Sequence, residues 1–178
     1  MELSALSIID TNVPLVANGQ SDQASDELLF ACIELLQKIT SPSADKRVAL
    51  DEGGLIFDEY RNKLSLSGQP GTGDSFLKWV HDNGYNDTKC ERRAITCLDE
   101  GTQTFSEFPA SAELADFDVS DRKFVAVANA GENKLPIVQA VDFKWWGWRE
   151  ALMQVGIEVQ FVSPEEAEAG YQAHLPGS

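Results

Sequence analysis

The chain is short of basic residues, histidines and cysteines, and each shortage removes a class of function. Lysine and arginine number 14 against 29 aspartates and glutamates, which leaves a net charge of −15 and a pI near 4.4. That balance favours solubility and argues against long-range attraction to nucleic acid or an anionic membrane, which weighs against a simple DNA- or RNA-binding module. An enzyme can still act on a polyanion when divalent cations fill an acidic site and local basic residues line its rim. Cys32, Cys90 and Cys97 are odd in number and lack C-x-x-C spacing, so neither a disulfide framework nor a zinc site is expected. His81 and His174 have no partner pattern and are left out of catalysis. No apolar run reaches the roughly 18 residues that span a bilayer, and no basic-then-apolar leader opens the sequence. A cytoplasmic protein with no membrane partner is the expectation.

What the sequence does have is enough apolar material for one core. Its 178 residues are 43% hydrophobic and 9% aromatic, which fits a single domain. The informative stretch is Leu6-Ser7-Ile8-Ile9-Asp10-Thr11-Asn12, an apolar run that stops on an aspartate. It reads as a buried strand whose carboxyl end delivers Asp10 into a cleft, where α/β proteins place their chemistry. A second run, Leu135-Pro136-Ile137-Val138-Gln139-Ala140-Val141, ends on Asp142 in the same way.

Between them the pattern alternates. Residues 14–25 are small and polar and read as a loop above the sheet. Ser25 or Asp26 then caps a helix over 27–38, and a short strand is expected over 47–51. Asp51-Glu52-Gly53-Gly54 turns the chain into a helix over 55–64. On it Leu55, Ile56, Phe57, Tyr60 and Leu64 share one side, Asp58 faces water and Glu59 lies at the border, fit to line a cleft edge. The glycine-rich stretch from Ser67 to Gly73 lacks the Lys-Ser or Lys-Thr that a phosphate loop requires, and a short helix containing Phe76, Leu77 and Val80 follows it. Residues 92–98 are a weak strand candidate. A helix apolar nearly all round follows Asp118-Val119-Ser120-Asp121, with Asp118 or Ser120 as its cap and Gly131 at its end. After Asp142 come a helix over 144–155, Gly156 as its cap and a strand over 157–162. The tail from Ser163 is polar with no evident task, and Pro176-Gly177-Ser178 is expected to fray. Strands alternating with helices predict an α/β fold of three layers around a central, mostly parallel sheet.

Four motifs in this order, Ile8-Ile9-Asp10-Thr11-Asn12, Ile56-x-x-Glu59-Tyr60-x-x-x-Leu64, Asp118-x-x-Asp121-Arg122-Lys123-Phe124-Val125-Ala126-Val127-Ala128 and Ala140-Val141-Asp142, resemble those of the PIN-domain nucleases. The resemblance covers most of the chain. It implies a PIN-like nuclease domain over 1–165, with a variable helical or loop segment at 68–117 that departs from compact toxin-like members, and a polar tail over 166–178. It further implies hydrolysis of RNA phosphodiesters, or those of another single-stranded nucleic acid, with Mg²⁺ or Mn²⁺. Asp10, Glu59, Asp121 and Asp142 would be the catalytic, metal-ligating carboxylates, with Asp118 as substitute for Asp121 and Asn12 shaping the site.

Physical chemistry gives the same acids a reason to seek a cation. Carboxylates about 5 Å apart repel by roughly 3 kcal/mol per pair at an effective dielectric near 20. Oxygen donors without histidine or cysteine select Mg²⁺ or Mn²⁺ over zinc. Arg122, Lys123, Lys144 and Arg149 fall near the acidic positions and are candidates for phosphate contacts, with surface salt pairing the favoured role for each taken singly. Of Trp145, Trp146 and Trp148, core packing is expected for two, and a base-stacking face is the alternative role.

Each acid also has a plainer reading: a strand-to-turn signal at Asp10, helix starts at Asp118, Asp121 and Asp142, a solvated helix position at Glu59 and turn residues at Asp51 and Glu52. Two rival functions follow. An acidic-pocket phosphotransfer protein of the receiver or haloacid-dehalogenase type is one, although the latter expects an aspartate where Asn12 stands. A non-catalytic PIN-like scaffold that binds a protein through its acidic surface is the other. A homo-oligomer and a protein inhibitor or system partner stay open.

Overall fold

The computed structural model describes residues 3–174. The expected fraying of residues 176–178 lies outside them. The chain runs β1 (Leu6–Ile9), α1 (Asn12–Ala17), α2 (Asp26–Thr40), β2 (Arg47–Asp51), α3 (Leu55–Lys63), α4 (Thr72–Asn83) and β3 (Cys90–Arg93). It continues through β4 (Cys97–Asp99), β5 (Thr104–Phe105), α5 (Arg122–Asn129), β6 (Ile137–Gln139), α6 (Lys144–Gln154), β7 (Val159–Phe161) and α7 (Pro164–Ala173). Five strands form one sheet in the order β3-β2-β1-β6-β7, and every pairing in it is parallel. The fold is α/β, three layers with a central parallel sheet. Among the described residues no helix is long and apolar enough to cross a membrane.

Strand order fixes where a site can form. From β1 the chain crosses to β2 and β3 on one side, whereas β6 and β7 add on the other. Right-handed crossovers therefore put α2 and α4, which touch each other, on one face, and α5, which touches β1, β2 and β6, on the opposite face. The direction of winding reverses between β1 and β6. That switch point opens a crevice at the carboxyl ends of the two strands. The register pairs Ile8 with Ile137 and Ile9 with Val138, and the Asp10 amide donates to the Val138 carbonyl at 2.9 Å. Asp10 is thereby set at the mouth of the crevice.

Four segments differ from the sequence expectation. The loop read over 14–25 begins with α1, whose Val13, Pro14, Val16 and Ala17 are buried. Pro14 stands in the first turn, where its missing N–H is no loss, so the proline that looked like a breaker is compatible with a helix. The extra strand expected over 92–98 is split. Cys90–Arg93 joins the main sheet, while Cys97–Asp99 pairs antiparallel with β5 in a separate two-stranded ribbon. On α3 the apolar side is narrower than expected, because Leu55 is exposed. The polar tail contains α7, capped by the Ser163 hydroxyl, with Pro164 in its first turn and Ala167 buried. Glu166 of α7 accepts from the Ser25 hydroxyl at 2.8 Å, which ties this helix to the start of α2.

The glycine-rich stretch before α4 serves packing. A Cβ on Gly73 would lie 2.0 Å from the Pro14 carbonyl oxygen, and one on Gly71 would lie 2.3 Å from Asn18 Oδ1. The Gly73 amide donates to Asn18 Oδ1 at 2.7 Å and Asn18 Nδ2 donates to Asp74 at 2.9 Å. Bare backbone at these two positions lets α4 press against α1.

Candidate functional site

Each expected acid reaches the carboxyl edge of the sheet by a different route. Asp10 follows β1 directly and is only 2% exposed. Its carboxylate accepts the Asn12 amide at 2.9 Å. Asp51, at the end of β2, is fully buried and accepts the amides of Leu55 and Ile56 at 2.7 and 2.8 Å. It thus anchors the first turn of α3 and orients the helix that carries Glu59. Asp121 precedes α5, and Asp118 caps the single turn before it by accepting from Ser120. Asp142 follows β6 and accepts the amide of Lys144, the first residue of α6, at 3.1 Å.

Asp10, Glu59, Asp121 and Asp142 all line one cleft of about 490 Å³, together with Asp118, Asn12 and Lys123. Four elements distant in sequence converge there. The cleft is electrostatically unbalanced. Burial, followed by the negative charge of Asp121, raises the Asp10 carboxyl well above the ordinary range, and Glu59 and Asp142 add to the effect. Burial and the neighbouring charges of Asp142 and Asp118 push Asp121 up to about 6, against the indole N–H of Trp145, which donates to it at 3.1 Å. Asp142 is raised too, chiefly by burial. Asp118 behaves otherwise: hydrogen bonds from Ser120 and then the Lys144 ammonium hold its carboxyl below the ordinary range. Of the two alternatives, Asp121 is the one that shares the buried, uncompensated environment of Asp10.

Glu59 differs from the other three because it already has partners. The Lys123 ammonium lies 2.5 Å from one oxygen and the Thr11 hydroxyl donates to the other at 2.5 Å. Lys123 is 6% exposed, and it also donates to the Ser120 carbonyl. Lys123 thus lines the cleft with its ammonium engaged in an inward ion pair. Arg122 stands outside the cleft, donating to the carbonyls of Phe117 and Ala115 and covering the Phe108 ring. Lys144 is exposed at the rim, 3.3 Å from Asp118. Arg149 stacks over Trp146. Trp145 is buried and Trp146 and Trp148 pack partly buried against the core. The cleft wall also contains Thr11, Leu15, Asn62, Lys63 and Gln103, to which the sequence had assigned no site role. Lys63 stands one helical turn beyond Glu59, a spacing that could have revealed it.

The walls are tied together from behind. The Tyr60 hydroxyl donates to the carbonyl of Ile9, and the ring is completely buried. Burial and then the charge of Asp10 keep this phenol protonated by raising its pKa.

A hard divalent cation suits the chemistry of this donor set, carboxylate oxygens with surplus negative charge in a buried cleft. Their spacing is wider than chelation demands: among the described residues no group of three histidine, cysteine or acidic side chains is drawn together closely enough to hold a metal ion. Asp10, Asp121 and Asp142 are the donors with unmet charge, and Glu59 would have to leave Lys123 to join them. Compared with family models, curated proteins and solved structures, the chain matches none.

Proposed function

We propose that the protein is a cytoplasmic, PIN-like nuclease that hydrolyses phosphodiester bonds of RNA, or of another single-stranded nucleic acid, with Mg²⁺ or Mn²⁺. One observation carries the reading: Asp10, Glu59, Asp121 and Asp142 come from four separate elements and line a single crevice at the switch point of a parallel sheet. Three of the four have carboxyls raised by burial and mutual repulsion. A fold does not concentrate uncompensated acid in a crevice without cost, and perturbed carboxyls in a cleft make it a candidate functional site.

Asp10, Asp121 and Asp142 would hold the cation, with Glu59 as a further donor. When bound, such an ion lowers the pKa of a water and stabilises charge developing on phosphoryl oxygens. The protein's own groups do the remainder. Asn12, whose amide fixes one Asp10 oxygen, holds that carboxylate in place. The Trp145 indole fixes Asp121. Lys63 in the cleft wall and Lys144, paired with Asp118 beside it, put positive charge where a phosphate backbone would enter. Hydrolysis needs no protein nucleophile, and the residues lining the described cleft include no cysteine and no histidine.

The test is incubation of purified protein with labelled RNA, with and without Mn²⁺, alongside Asp10→Asn and Asp142→Asn. Cleavage that depends on Mn²⁺ and falls at least about 100-fold in each variant supports the reading. Equal cleavage by wild type and variants would point to a contaminant and end the proposal. A second reading, a non-catalytic PIN-like scaffold, draws support from the Lys123–Glu59 pair and from the spacing of the acids. Under it Mn²⁺ would neither bind nor stabilise the wild type.

A further inference from the structure

A second cavity, also about 490 Å³, adjoins the acidic cleft and shares Asn12, Leu15 and Asp142 with it. Its chemistry is different. Phe143, Tyr171 and His174 contribute rings, Leu15 and Val141 contribute apolar surface, and Gln20 and Gln23 place amides at the edge. We infer that this cavity is a subsite for one unpaired nucleobase of the strand whose backbone passes through the acidic cleft. The inference rests on the nucleic-acid reading above and adds to it a requirement for single-stranded substrate.

Three observations support that occupant over a generic apolar ligand. The cavity opens on three of the residues that bound the acidic cleft, Asn12, Leu15 and Asp142, so a group seated in it lies beside whatever the carboxylates act on. The rings are held against bare backbone. A Cβ on Gly170 would lie within 2.5 Å of three Phe143 ring carbons, and one on Gly147 would lie 2.8 Å from Tyr171 Cε2. The His174 ring is tilted 34° to Phe143 with centroids 5.8 Å apart, and its Nδ1 donates to the Gly170 carbonyl at 2.7 Å. These contacts fix aromatic surfaces in advance, as base stacking requires. Finally, the amides of Gln20 and Gln23 present both donors and acceptors, which matches the edge of a base and has no use for a hydrocarbon. A base inside a duplex cannot leave its stack to enter the cavity without unpairing.

The experiment measures fluorescence anisotropy of a labelled oligoadenylate of about ten nucleotides and of an abasic strand of equal length, with Ca²⁺ in place of Mn²⁺ to keep the strands intact. Wild type should bind the base-bearing strand about tenfold more tightly than the abasic strand, from stacking of one base. Tyr171→Ala should remove most of that preference and leave abasic binding unchanged. His174→Ala, at an exposed position, should reduce it about threefold with an unchanged melting temperature, and it carries the test if Tyr171→Ala fails to fold. Equal affinity for the two strands, or an undiminished preference in His174→Ala and folded Tyr171→Ala, overturns the subsite while RNA cleavage by the wild type leaves the nuclease standing. Absence of binding to either strand, together with absence of cleavage, overturns both.

Discussion

Replacing Asp121 with asparagine should make the metal-free protein more stable while abolishing its response to Mn²⁺. The carboxyl of Asp121 is raised from an ordinary 3.8 to about 6, first by burial and then by Asp142 and Asp118. At about 1.4 kcal/mol per pH unit, keeping it ionised at neutral pH costs the fold about 3 kcal/mol. The unfolded chain releases this proton near pH 4 and the folded chain near 6. Between those values the folded state binds more protons, so wild-type stability falls as pH rises through that window and then levels off. Asparagine carries no charge to desolvate, and its carbonyl oxygen can still accept from the Trp145 indole. Urea unfolding in chelator should therefore show a gain of up to about 3 kcal/mol for Asp121→Asn at roughly pH 8 and almost none near pH 4. Mn²⁺ should reverse the order: at about 100 times its dissociation constant it would stabilise the wild type by about 2.7 kcal/mol and leave the variant unmoved. A variant no more stable than wild type at the higher pH, or a gain that persists near pH 4, would refute the reasoning, because Asp121 would then lack an uncompensated negative environment.

Three further outcomes follow from the same geometry. Lys123→Met keeps the aliphatic stem but strips Glu59 of its ammonium partner; unfolding in chelator should show a loss of about 2 kcal/mol, and Mn²⁺ titration followed by the free-ion resonance should show tighter binding. Unchanged affinity would mean that Glu59 takes no part in cation binding. Gly73→Ala drives a Cβ to 2.0 Å from the Pro14 carbonyl and should cost about 3 kcal/mol, with a parallel loss of cleavage as the helix bearing Asn12 shifts; a urea midpoint equal to wild type would contradict the close approach. Ser163→Ala removes the cap of α7 and should cost about 1 kcal/mol, with faster amide exchange confined to that helix; uniform exchange across the protein would speak against a separately anchored tail.

Much of the sheet edge was legible because apolar runs that stop on an acid have few alternatives. The runs before Asp10 and Asp142 had to be buried strands, and in a parallel sheet their ends must lie on one side. The border position of Glu59 followed from helical spacing, and the residue does line the cleft. Pairing was the part out of reach. Lys123 stood beside a hydrophobic run and read as a phosphate contact or a surface salt pair, yet its place in a buried helix required an acidic partner, and nothing local says that the partner is 64 positions earlier in the chain. The missed helices were written in the sequence and misread. Val13, Val16 and Ala17 have helical spacing hidden by Pro14, and Ser163-Pro164-Glu165-Glu166 is the start signal of a capped helix. Of the ribbon, β4 was touched only by the end of the 92–98 candidate and β5 gave no signal, because strands of three and two residues are too short for periodicity to register.

The bond from Tyr60 to the Ile9 carbonyl joins the residue next to Glu59 with the residue next to Asp10. One phenol therefore acts as a fixed spacer between the opposing jaws, and the gap between them is decided when the core sets rather than when a ligand arrives.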